Sequence, residues 1–175
     1  MRKLLALVAL LSAFGMISAA LAQKKPLSPP EQASITLQGK TISIHYSAPS
    51  VRGRKIFGPA GLLSHDATYP VWRAGANAAT SLHTGANLTL GTLHVPAGNY
   101  TLFVLVKDPN HWQLIVNKQT GQWGLTYHQN QDLGRVPMHM SIPPHPIERL
   151  RYLLSPTQLT LEWDNLIASV PLTVR

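Results

Sequence analysis

The sequence predicts an all-β domain, an antiparallel β-sandwich or jelly-roll-like fold with short helical turns confined to one insertion. Apolar residues recur at period two along most of the chain, clusters of Gly, Pro, Asn and Asp interrupt the runs, and no apolar stripe of helical period is sustained. A chain assembled from such segments buries its apolar faces by stacking one sheet on another.

The first 22 residues read as a Sec-type export signal. Arg2 and Lys3 form the charged start, and Leu4 to Ala13 an apolar stretch shorter than the roughly 20 residues that span a bilayer. Ala20-Leu21-Ala22 offers the small residues that signal peptidase accepts. Cleavage after Ala22, a periplasmic or secreted location and no stable membrane anchor after cleavage are therefore expected. Residues 23–32, with Lys24, Lys25 and the Pro29-Pro30 pair, read as an extended linker into one all-β domain over residues 33–175, long enough to bury a core. The chain has no cysteine, which excludes disulfides and lipid attachment through a thiol. Without Arg2 and Lys3 it holds 13 basic residues and 7 acidic ones. Lys40, Arg52, Arg54, Lys55, Arg73 and Lys107 lie in a half whose single acid is Asp66, so a small anionic ligand or an anionic envelope polymer is the expected partner. Export argues against nucleic acid.

Ile35 and Leu37, then Ile42, Ile44 and Tyr46, alternate with polar residues on either side of a Gln38-Gly39-Lys40 turn, which predicts a hairpin. Ser43 and His45 fall on the face opposite the isoleucines. Residues 47–58 hold too many breakers for a regular element and read as a loop carrying Arg52 and Arg54; Pro59 to Leu63 then allows one helical turn. From Thr80 the pattern is strand and turn. Short strands are predicted around Leu82, Leu88 to Leu90 and Leu93 to Val95. Tyr100 to Val106, apolar on both faces, is expected to be central. Asp108-Pro109-Asn110 turns the chain back through Trp112, Leu114 and Val116, and Gln119 to Trp123 forms a loop. Val136, Met138, Met140 and Ile142 alternate as one strand that Pro137 assigns to an edge or a bulge. Glu148 to Leu154, Gln158 to Trp163, and Ala168 to Val174 complete the order.

The most compact polar-aromatic stretch is Val71-Trp72-Arg73-Ala74-Gly75-Ala76-Asn77, in which Gly75 allows a sharp turn that brings Arg73 towards Asn77. With Arg52 and Arg54 on the preceding loop, the planar guanidinium forks suit carboxylates or phosphates, and the Asn77 carboxamide both donates and accepts. Trp72 offers a stacking surface or a core plug, and His45 and His83 offer bases on strands. The candidate ligand-binding set is thus Arg52, Arg54, Trp72, Arg73, Asn77, His45 and His83. Histidine spacing gives no metal-binding motif, so neither a metal nor another cofactor is expected. A strained-serine elbow and a dinucleotide fingerprint are absent, and the pair Glu162 and Asp164 reads as a solvated face.

Tyr46-Ser47-Ala48-Pro49-Ser50-Val51-Arg52-Gly53-Arg54, Phe57-Gly58, the stretch from Val71 to Asn77, Pro96-Ala97-Gly98-Asn99-Tyr100-Thr101-Leu102-Phe103, Trp112 and Asn117-Lys118 together resemble the DUF2911 family of bacterial exported proteins over most of the chain after the signal. The resemblance implies an all-β exported domain. It departs at Ala78, where the family pattern usually carries an acid, which weakens a catalytic reading of this stretch. The expected function is an exported module that binds a small anionic or carbohydrate-like ligand. Whether it is an enzyme stays open: a hydrolase or isomerase using Arg73, Asn77 and a histidine base is one alternative, and a structural envelope protein without a pocket is another.

Overall fold

A computed structural model of the chain describes residues 26–108 and 110–175. The export signal and the first residues of the expected linker lie outside them.

Thirteen strands among the described residues form two antiparallel sheets. The first sheet contains β1 (Pro30–Leu37), β2 (Lys40–Ser47), β4 (Thr80–Thr84), β7 (Gly98–Leu105), β8 (Gln113–Asn117) and β9 (Asp132–Pro137) in that spatial order, and β3 (Val71–Trp72) also pairs with β7. The second runs β11 (Ile147–Ser155), β12 (Gln158–Asp164), β13 (Leu166–Val174), β5 (Leu88–Leu90), β6 (Leu93–Val95), with β10 (His139–Ser141) beside the start of β13. The all-β sandwich expected from the sequence is the fold observed. Its first strand starts at Pro30, inside the stretch read as linker.

Alternation dictates the layers. Ile42, Ile44 and Tyr46 of β2, Leu82 of β4, Leu102 and Val104 of β7, and Leu114 and Val116 of β8 face Leu150 and Tyr152 of β11, Leu159, Leu161 and Trp163 of β12, and Ala168, Val170 and Leu172 of β13 in one buried core. The β1–β2 hairpin turns at Gln38 and Gly39, both left-handed at φ 51° and 73°, as a two-residue turn between twisted strands requires. The helical turn predicted at Pro59 to Leu63 is a 3-10 turn at Leu62–His65, and a second 3-10 turn at Gln129–Gln131 lies outside that insertion, so the helical turns are not confined to it.

One expected strand divides. The run from Val136 to Ile142 supplies β9 to the first sheet and β10 to the second, and the Met138 N–H leaves both ladders to bond the Trp112 carbonyl at 2.9 Å. Pro137, which has no N–H for a ladder, sits at this crossing on the edge strand β9.

The outer face of the first sheet is only partly solvated. Val71, Phe103 and Ile115 form a second small core there, covered by Ala79, Leu105 and Tyr127. Tyr127, its ring 5.0 Å from Phe103, comes from residues 118–131, which fold back over β7. This layer explains why β7 is apolar on both faces.

Candidate functional site

The stretch from Val71 to Thr80 is a buckle between the two sheets. Trp72 is 2% exposed and stacks on Trp163 of the opposite sheet, with centroids 5.7 Å apart and planes at 20°. Phe57 and Trp112 complete the aromatic cluster, with centroids 6.4 Å and 6.3 Å from Trp72. The Trp72 indole N–H donates to the Gly75 carbonyl at 3.1 Å. The Ala74 carbonyl accepts from the hydroxyls of Thr80 and of Tyr152 on β11, at 3.1 Å and 2.9 Å. Burial of the Tyr152 phenol pushes its pKa up.

The sharp turn is made differently from the sequence-based expectation. Ala74 and Asn77, at φ 52° and 60°, hold the left-handed positions rather than Gly75. Gly75 is needed for space: a Cβ there would come within 2.9 Å of Thr80 Oγ1 and 3.2 Å of the Ser47 carbonyl.

Each of the seven candidate residues has a distinct place. Trp72 lies in the core, so its indole presents no stacking surface: it stacks on Trp163, and Phe57 and Trp112 meet it at steep angles. Arg54 donates to the carbonyls of Ser50 and Val51, bracing its own loop. Arg52 donates through its side chain to the Leu27 carbonyl and through its backbone N–H to Glu148 Oε1 at 2.9 Å. Arg73 reaches Asp66 at 3.1 Å and is 17% exposed. Asn77 is exposed, and its carbonyl accepts the Gly124 N–H at 3.1 Å. His45 and His83 are diagonal neighbours on the outer face of β2 and β4, and His83 Nδ1 bonds Asn99 Oδ1 at 2.8 Å. The two arginine loops do meet, through Ala76 N–H to the Ser47 carbonyl at 3.1 Å and through Phe57 against Trp72, but their guanidinium groups take separate partners.

Two features lay outside the sequence-based set. The first is a cleft of about 630 Å³ where β1 and β11 adjoin at the open corner of the sandwich. Between Ile147 and Arg151, β11 bulges out of register with β12, and its displaced residues pair with the Arg52 loop: Ser50 bridges Arg149, and the Val51 N–H reaches the Glu148 carbonyl at 2.8 Å. The bulge turns alternate charges towards the opening. Glu31 pairs with Arg149 at 3.5 Å, and Arg151 Nε with Glu162 Oε2 at 2.5 Å. Glu162 is only 7% exposed, so the solvated face expected for it is covered, by Arg151 and the cleft wall. Burial, followed by the charge of Glu148, raises the carboxyl pKa of nearby Asp164. Pro143, Pro144 and Pro146 form an apolar wall, and the Tyr46 hydroxyl accepts the Tyr152 N–H at 3.3 Å behind it. The signal in the sequence was the triplet of prolines before a strand beginning Ile147-Glu148-Arg149.

The second is the 118–131 cover. Asn117, 0% exposed, donates to the His128 carbonyl and to Asp132 Oδ1, and accepts from the Gln119 N–H, at 2.9 to 3.0 Å. Asp132 Oδ2 accepts from the Tyr127 hydroxyl at 2.8 Å and from Arg135 Nε and Nη2 at 3.0 Å and 2.8 Å. Burial and then the Asp132 carboxylate push the Tyr127 phenol up to about 12. Since the folded pKa lies above the unfolded value of about 10, the associated stability is present below pH 10 and is lost as pH climbs from there towards 12. Tyrosinate absorbance should therefore rise late and together with alkaline unfolding. Early ionisation of Tyr127, with the fold intact at pH 10, would contradict the arrangement.

The model of the DUF2911 family, described as a protein of unknown function, matches residues 28–172. The chain belongs to the DUF2911 family. No curated protein and no solved structure matches it. The segments that carry the family resemblance acquire physical reasons here. The 71–77 stretch of this DUF2911 chain is the inter-sheet buckle, and Pro96 to Phe103 starts the central strand with Tyr100 Oη bonded to the Pro96 carbonyl at 3.0 Å. Asn117 anchors the cover, and Arg52 sets the backbone turn that holds Glu148 at the cleft.

Proposed function

We propose that this protein is an exported binding module whose small ligand is carbohydrate-like and occupies the corner cleft. One observation carries the reading: a cleft of about 630 Å³ lined by alternating carboxylates and guanidiniums above a proline wall. Sugar hydroxyls both donate and accept, so they match carboxylates and guanidiniums side by side, while the prolines suit the ring's C–H face. A small anion is the poorer fit, because Glu31, Glu148 and Glu162 outnumber Arg149 and Arg151 in the lining. Arg52 contributes by fixing Glu148 through its backbone N–H.

A thermal-shift series with neutral hexoses, hexuronic acids and inorganic phosphate tests this. A neutral sugar at about 100 times its Kd should raise Tm by roughly 5 °C or more, and Arg149→Ala should abolish most of the shift. Stabilisation by phosphate in preference to sugars, or no shift from any of them, would overturn the reading.

A further inference from the structure

The geometry points to a second carbohydrate surface, separate from the cleft, in which Trp123 is a platform for one pyranose ring of a neutral polysaccharide. Trp123 is 58% exposed, whereas Trp72, Trp112 and Trp163 are 2%, 3% and 2% exposed. Single exposed apolar side chains are ordinary on protein surfaces. What distinguishes this indole is its mounting. Its backbone bridges Ala78 in antiparallel fashion, the residue before it accepts the Ala79 N–H at 3.2 Å through the Gln122 carbonyl, and the residue after it donates to the Asn77 carbonyl at 3.1 Å. Gly124 makes this seating possible, since a Cβ there would stand 1.9 Å from Arg73 Cδ and 2.5 Å from the Asn77 carbonyl oxygen. The loop is thereby fixed before any ligand arrives, which lowers the ordering cost of binding.

The surroundings select the ligand class. Opposite Trp123 stands Ala78, exposed and too small to cover a ring. Asn77, which is exposed, and Gln122 bring carboxamides to the strand-like pairing that seats the indole, and residues 118–131 hold no acid. Gln122 Nε2 and Arg73 Nε are buried without a protein hydrogen-bond partner, and buried donors are seldom left so. Two amide-bearing residues beside one rigid indole suit a neutral sugar, whose C–H face stacks on the ring while its hydroxyls bond carboxamides. A membrane-inserting loop would instead need several apolar residues or a basic cluster beside the indole.

Acrylamide quenching of intrinsic fluorescence reads this surface directly, because only one of the four indoles is accessible. Cellohexaose or hexa-N-acetylchitohexaose should protect Trp123 from quenching at least twofold. Trp123→Ala should weaken binding to that oligosaccharide at least tenfold by calorimetry, Asn77→Ala severalfold, and Trp123→Phe should retain part of it. Arg149→Ala should leave the Trp123 response intact, so failure of the cleft reading and failure of this one are told apart. Undiminished binding by Trp123→Ala would overturn the proposal, as would the absence of protection by either hexaose. A blue shift only with phosphatidylglycerol and phosphatidylethanolamine vesicles would overturn it in favour of a membrane-contacting loop.

Discussion

Trp72→Ala is expected to destabilise the protein by about 3–5 kcal/mol, as truncation of a buried tryptophan typically does, and to lower Tm by roughly 10 °C in a domain of this size. The indole is 2% exposed and touches three other aromatic rings, so its removal leaves a cavity that rigid neighbours cannot collapse into. It also removes the hydrogen bond to the Gly75 carbonyl, which shapes the turn presenting the Ala74 carbonyl to Tyr152. Both sheets are affected, because Trp163 and Tyr152 belong to one and Trp72 to the other. Urea unfolding monitored by near-ultraviolet dichroism measures this loss. A cost below about 1 kcal/mol would mean that the buckle is not what joins the layers. Trp123→Ala, on the surface, should stay within about 0.5 kcal/mol of the parent.

The strands were legible in the sequence because each buries one face against the core, and burial imposes period two wherever the other face meets water. Ile42, Ile44 and Tyr46 are readable for that reason, and so are Leu159, Leu161 and Trp163. Where an outer face is also covered the period disappears, and β7 could be recognised as central without any indication that residues 118–131 cover it. The division at Met138 left no trace in the alternation, since β9 and β10 both keep alternate residues inward while changing sheets. Strand pairing between distant segments is not encoded by local pattern at all.

The candidate site follows the same logic. Local clustering drew attention to Trp72, Arg73 and Asn77, and the cluster is real, but a compact polar-aromatic turn is also what a buried buckle needs: an indole to stack, small residues to pass between and backbone carbonyls to accept hydroxyls. The cleft depends on Glu31 meeting Arg149, 118 residues apart in the chain, and on the Arg52 loop pairing with a bulge in β11. Contacts of that range have no spacing signature. Trp123 between Gly121 and Gly124 was visible as a loop, yet its exposure follows only from how Ala78 and Asn77 seat it.

Asn117→Leu should cost about 2–4 kcal/mol, with the damage confined largely to the cover. The substitution keeps the branched shape and adds bulk rather than removing it, so no cavity is left. It leaves the His128 carbonyl, the Gln119 N–H and one oxygen of Asp132 without the partner they have in a site that is 0% exposed. Each such buried, unsatisfied group costs on the order of 1–3 kcal/mol, and partial opening of residues 118–131 is the relief available. Opening would hydrate Phe103 and Ile115 by lifting Tyr127 from them, leaving only Ala79 and Leu105 packed on that small core. Hydrogen exchange should therefore accelerate across residues 119–131 while β11 to β13 stay protected. The Tyr127 phenol, no longer held against Asp132, should titrate closer to the ordinary value of about 10. If exchange in the cover and the tyrosine titration are both unchanged, the carboxamide is not its anchor. If the cover does open, any protection of Trp123 by an oligosaccharide should be lost while a sugar-induced thermal shift that depends on Arg149 persists, because β1 and β11 lie on the far edges of the two sheets.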